Sequence, residues 1–153
     1  MYLQFYGLTK HPFNITTDPK FLYLSRSHQE ALAALRYGVM QKKGFLAITG
    51  EVGTGKTTLC RALFRQLDKK TKFAFIFNPG LSEDQILLAI TQDFGLKVKN
   101  PNKLNVFQAL NHFLIKQVRK GYNVILVIDE AQNMSIPVLE QMRMLSNLET
   151  ESE

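Results

Sequence analysis

At 153 residues, 45% hydrophobic and a formal charge of +6, the chain suits one globular domain spanning 1–153 that buries a core, and nothing in it reads as disorder, internal repeat or low-complexity tract. The lone cysteine, Cys60, excludes an internal disulfide, and the separated histidines His11, His28 and His112 have no metal-ligand spacing. The longest apolar run, Val124–Ile128, is far short of a membrane span, and Met1-Tyr2-Leu3-Gln4 lacks the features of a signal peptide, so a cytoplasmic chain with no membrane span is expected.

Residues 1–44 read as an N-terminal segment ending in a helix. Leu32, Leu35 and Val39 recur at helical spacing, and Lys42-Lys43-Gly44 suits the helix end. A partial αβα core is expected over 45–153. It opens with Phe45-Leu46-Ala47-Ile48-Thr49, a short apolar run that predicts a parallel strand covered on both faces. Next comes Gly50-Glu51-Val52-Gly53-Thr54-Gly55-Lys56-Thr57, which matches the phosphate-binding G-x-x-x-x-G-K-[ST] pattern at every fixed position. The three glycines let the backbone turn tightly and aim N–H groups at a polyphosphate held at the positive end of the following helix. Lys56 is then expected at the β- and γ-phosphates of ATP, the Thr57 hydroxyl on Mg²⁺, and Thr58 on a neighbouring phosphate. Leu59, Ala62, Leu63 and Leu67 predict the helix.

Phe73–Phe77 predicts a second buried strand, closed by Asn78-Pro79-Gly80. Ser82-Glu83-Asp84-Gln85 has the pattern of a capping box before a helix with Ile86, Ile90 and Phe94 on one face. After Asn100-Pro101-Asn102, a helix carrying Leu104, Phe107, Leu110, Leu114 and Val118 runs to Gly121, and Val124–Ile128 is the third strand. Ser135 is placed to cap a last helix with Pro137 in its first turn and the apolar stripe Leu139, Met142, Leu145 and Leu148.

Asp129-Glu130 ends the third strand in the manner of a Walker B element. Carboxyl ends of parallel strands face one crevice, so Asp129 is expected to join Thr57 on the Mg²⁺, and Glu130 to orient a water for attack on the γ-phosphorus. Asn78 has two readings: a turn residue before Pro79, or an amide within reach of Glu130 if the second and third strands are neighbours. Charge is uneven, with twelve Lys/Arg against four Asp/Glu through Lys72 and one against six from Gly121 onward. A solvated surface accounts for that, and attraction to phosphate polyanions, nucleic acid among them, is the second reading.

With these segments assembled, the chain closely resembles bacterial AAA+ ATPases of the general secretion pathway protein A (ExeA-like) type and the related MSHA pilus-biogenesis ATPase MshM. The likeness is carried by Met1–Leu8, Pro12-Phe13, Asp18-Pro19, Phe21–Leu24, His28 with Glu30-Ala31-Leu32, Gly50–Thr58, Asp129–Asn133 and Leu145–Glu149. The resemblance implies an α/β P-loop NTPase of the AAA+, ASCE type, a parallel sheet with flanking helices. It implies Mg-ATP hydrolysis that drives assembly of a secretin or pilus, in homo- or hetero-oligomers with a related secretion or pilus protein and with an inner-membrane anchor in longer members. Lys56, Thr57, Asp129 and Glu130 keep their roles, Asn78 matches the polar switch position on the second strand, and the segment 13–23 is expected near the adenine. The family's sheet order is 5-1-4-3-2, and strands four and five, the sensor, the arginine finger and the lid have no counterpart in this sequence; weak hydrolysis by the chain alone is expected. Two other functional classes fit the same motifs: a transposition-type ATPase that binds DNA, and a nucleotide-gated interaction module without turnover.

Overall fold

Side-chain caps at Ser25, Ser82 and Asn102 set the starts of three helices. In the computed structural model, which describes residues 2–9, 23–77 and 79–147, the chain forms two units, residues 1–67 and 68–153.

The first unit contains α1 (Tyr2–Phe5), α2 (Arg26–Met40) and α3 (Lys56–Gln66). Ser25 caps α2 by accepting a hydrogen bond from the His28 backbone N–H at 3.3 Å. Leu32, Leu35 and Val39 are buried as expected, and α2 lies against α3, which buries Leu59 and Leu63. The helix ends at Met40, and Lys42, not Gly44, takes the left-handed conformation after it.

Residues 45–50 form no strand among the described residues, which corrects the expected first strand. Phe45 is 65% exposed and Leu46 44%. Leu46 nonetheless sits over Gly38 of α2, where a Cβ would lie 2.5 Å from its Cδ2. The physical reason is that an extended segment becomes a strand only through a backbone ladder with a neighbour. The order implied by the resemblance seats this segment beside a strand that follows α6 in sequence, and no such strand is among the described residues.

The second unit contains β1 (Thr71–Ile76), α4 (Glu83–Asp93), α5 (Lys103–Arg119), β2 (Asn123–Ile128), a 3₁₀ turn (Ala131–Asn133) and α6 (Ile136–Asn147). β1 and β2 pair in parallel, from Thr71 opposite Asn123 to Ile76 opposite Ile128, so the two strands ending near Phe77 and Ile128 are neighbours. The helical crossover between them is the connection a parallel pair requires. Ala74 and Ile76 are buried, while Phe73 is 47% exposed and Phe77 56%. Only one face of β1 is therefore packed, against the expectation of a fully buried strand.

Ser82 and Gln85 close the capping box at the start of α4. Ile86, Leu87 and Ile90 then bury almost completely. They form one core with Val106, Leu110 and Leu114 of α5 and Val138, Met142 and Leu145 of α6. Two expected core positions are corrected: Leu104 is 63% exposed and Leu139 46%, their places taken by Val106 and Val138. Leu148 lies outside the described residues. At the rim, Glu83 accepts from Lys103 Nζ at 2.9 Å and from Gln141 Nε2 at 3.2 Å, linking three helices. The Lys103 ammonium holds the Glu83 carboxyl below the ordinary carboxylate range. Its stabilising contribution is present above the unfolded-state pKa and is lost as pH falls through the lowered folded value.

Candidate nucleotide site

Gly53 and Gly55 adopt φ of 80° and 87°, the left-handed region that a side chain with a Cβ enters only at a cost of about 1–2 kcal/mol. This is where the motif's glycines matter. Gly55 is the residue before the first turn of α3, and no side chain caps that helix. The first-turn amides thus stand behind the loop, at the positive end of the helix dipole.

Loop carbonyls are held by donors of the same segment. Thr54 Oγ1 donates to the Glu51 carbonyl at 2.8 Å. Lys56 folds back, its Nζ donating to the carbonyls of Gly50 at 2.9 Å and Glu51 at 2.7 Å. Both contacts lie on an exposed surface, so the ammonium can exchange carbonyl oxygens for phosphate oxygens without opening a core. Val52 is fully exposed at the loop tip. Thr57 is half-buried and Thr58 buried within the first turn of α3. All of Gly50 to Thr58 therefore belongs to one loop-and-helix element of the first unit.

Asp129 and Glu130 belong to the second unit. The Asp129 N–H donates to the Ile76 carbonyl at 2.9 Å, which extends the ladder by one bond and fixes Asp129 at the carboxyl end of the strand pair. Its Oδ1 accepts the Glu130 N–H at 3.0 Å. Glu130 has φ of 52° and ψ of 40° and precedes the 3₁₀ turn, an uncommon conformation for a non-glycine residue and one that recurs at functional positions. The Glu130 carboxylate is exposed and accepts from the Gln132 side-chain amide. Asn78 lies outside the described residues, so its expected contact with Glu130 does too.

Two residues missed in the functional reading of the sequence act here. Gln132 holds Glu130, and its signal was present in the Asp129–Asn133 run. His28 donates from Nε2 to the Thr54 carbonyl at 2.8 Å; across 26 positions no local pattern announces that contact. No group of three or more His, Cys, Asp or Glu that could hold a metal by itself occurs among the described residues.

The model of the family described as "AAA domain" matches residues 39–153. General secretion pathway protein A of Aeromonas hydrophila is 45% identical over 152 residues, covering 99% of this chain and 28% of that protein. The chain thus spans little more than a quarter of that relative. No solved structure matches it. A P-loop with its two left-handed glycines, a parallel strand pair carrying Asp129-Glu130 at its carboxyl end and helices packed on the sheet are what the family match leads one to expect: the chain has a P-loop NTPase α/β fold and belongs to the AAA domain family.

Proposed function

We propose that the chain binds Mg-ATP and, in the protein that carries it, hydrolyses ATP to drive assembly of a bacterial envelope machine; the 45% identical relative, a general secretion pathway protein by name, supports the secretion context. The observation that carries this reading is the P-loop itself: two left-handed glycines ahead of an uncapped helix start, with Lys56 resting on exposed carbonyls that phosphate can replace. Gly50 to Thr58 cradle the phosphates through backbone N–H groups, and Lys56 offsets charge on the β- and γ-oxygens. A hydroxyl at Thr57 and a carboxylate at Asp129 are the hard oxygen donors that Mg²⁺ takes, and these two residues would hold it. The ion supplies charge neutralisation on the transferring phosphoryl group. Glu130 accepts the proton of the attacking water, and Asn78 is the residue that modulates Glu130. Oligomerisation with itself or a related secretion or pilus protein belongs to the same proposal, as does a cytoplasmic location, where the ATP supply is.

The direct check is equilibrium binding of ATP in Mg²⁺ and in excess EDTA, with Asp129→Asn beside the unaltered chain. One charge-assisted contact is worth about 1.5–3 kcal/mol, so EDTA should weaken binding by about tenfold or more. Asp129→Asn should bind in Mg²⁺ about as weakly as the unaltered chain does in EDTA. An affinity indifferent to Mg²⁺ would overturn the assignment of Thr57 and Asp129.

A further inference from the structure

His28 is remote in sequence from the P-loop, yet both of its ring nitrogens are engaged within the first unit. Nε2 lies 2.8 Å from the Thr54 carbonyl oxygen and Nδ1 lies 2.6 Å from Ser25 Oγ. A carbonyl can only accept, so Nε2 must carry the proton and donate it. Nδ1 can then accept from the Ser25 hydroxyl, while Ser25 Oγ accepts the His28 backbone N–H as the cap of α2. The ring is thereby fixed in one tautomer, at the first turn of a 15-residue helix that buries Leu32, Leu35 and Val39. It is a rigid donor aimed at a loop.

The carbonyl it grips is informative. In a trans peptide the C=O and the next N–H point in opposite directions. Holding the Thr54 oxygen toward α2 therefore turns the Gly55 N–H away from α2, at the residue that immediately precedes the first turn of α3. The flanking carbonyls of Gly50 and Glu51 are held by Lys56, and Glu51 also by Thr54 Oγ1. The two Lys56 contacts change if the ammonium moves to a phosphate. The His28 contact does not involve Lys56, so moving the ammonium removes neither of its partners.

We propose that His28 is a positioning residue for the nucleotide: it pins the Thr54–Gly55 peptide so that the Gly55 amide is already oriented toward phosphate before ATP arrives. This rests on the ATP-binding reading above. Preorganisation of this kind raises affinity by removing the ordering cost from the binding step.

The test is ATP titration in Mg²⁺ with the unaltered chain, His28→Ala, His28→Gln and Lys56→Ala, combined with hydrogen exchange of the nucleotide-free proteins. A net hydrogen bond is worth about 1 kcal/mol, so His28→Ala should weaken ATP binding about fivefold. It should also speed amide exchange over Gly53–Thr58 while leaving the buried amides of α2 unchanged, which a merely structural role for His28 would not do. His28→Gln places an amide donor at nearly the same reach and should recover most of the affinity. Equal loss in the Gln and Ala variants, or an Ala variant with unaltered affinity while Lys56→Ala has lost binding, overturns the role of His28 alone. An unaltered chain that binds no ATP overturns both this role and the reading beneath it. Should His28→Ala fail to fold, the Gln variant and Ser25→Ala decide: recovered affinity in the first and faster P-loop exchange in the second support the pin, and the opposite pair refutes it.

Discussion

Glu130→Gln is expected to lower ATP turnover by about 10²–10⁴-fold, the usual worth of a general base. The expectation follows from chemistry and position. Asp129 is fixed by its N–H on the Ile76 carbonyl, and the chain then turns sharply through the left-handed conformation at Glu130, leaving an exposed carboxylate held by Gln132. An amide in its place keeps the size of the side chain and its contact with solvent, but it cannot take a proton from water. Mg-ATP affinity should therefore stay within about twofold, because the interaction lost is one made in the transition state. Turnover is proposed for the protein that carries this chain, so the assay is phosphate release by that protein. Unchanged turnover in the Gln variant would remove Glu130 from the mechanism and leave Asp129-Glu130 as a strand ending.

The second large effect lies in the core. Ile90→Ala removes a side chain that is 1% exposed, at the centre of the cluster built by α4, α5 and α6. Truncations of this kind cost about 2–5 kcal/mol, the transfer of the lost methyl groups plus the cavity left behind. Set against a total stability of about 5–15 kcal/mol for an ordinary domain, that is a large fraction. Denaturant unfolding followed by a helix signal should show an earlier midpoint, whereas Leu104→Ala, at a position 63% exposed, should move it little. Equal shifts from the two substitutions would contradict the packing described for α5.

The contrast between those two leucine-like positions shows what sequence patterning reveals and what it leaves open. A helical period identifies α5 and α6 as amphipathic but allows neighbouring registers. Leu139, Met142, Leu145 and Val138, Met142, Leu145 both satisfy the spacing, and the core takes the second. The choice is made by tertiary packing, to which periodicity is blind. Capping chemistry is local, so the Ser82–Gln85 box was legible in the sequence. Val124–Ile128 was legible as a strand because β1 supplies its partner in register. Phe45–Thr49 carries an equally apolar pattern, but a strand is a property of a pair, and among the described residues it has no ladder.

The candidate site divides along the same line. The backbone of the P-loop was readable because it is encoded in consecutive residues whose geometry is local: Gly53 and Gly55 take the conformations their lack of a Cβ permits. The position of Asp129-Glu130 at the end of an apolar strand was readable on the same logic. His28 was not, since its hydrogen bond to Thr54 spans 26 positions and depends on the docking of α2 beside the loop. Gln132 was adjacent to the motif yet unassigned, because a contact two residues along exists only in the turn that follows Glu130.

If the loop from Gly50 to Thr58 is a working nucleotide site, Mg-ATP should hold the chain in its folded state. A thermal melt with and without Mg-ATP, with Lys56→Ala as the control, tests it most directly. At ligand about 100-fold above its dissociation constant, binding to the folded state adds about 2.7 kcal/mol, which for a chain of this size corresponds to a rise of roughly 5–10 °C. That rise is expected in the unaltered chain, and its loss in Lys56→Ala. A cooperative melt that Mg-ATP leaves unmoved, or a rise of equal size in the Lys56→Ala chain, would contradict it.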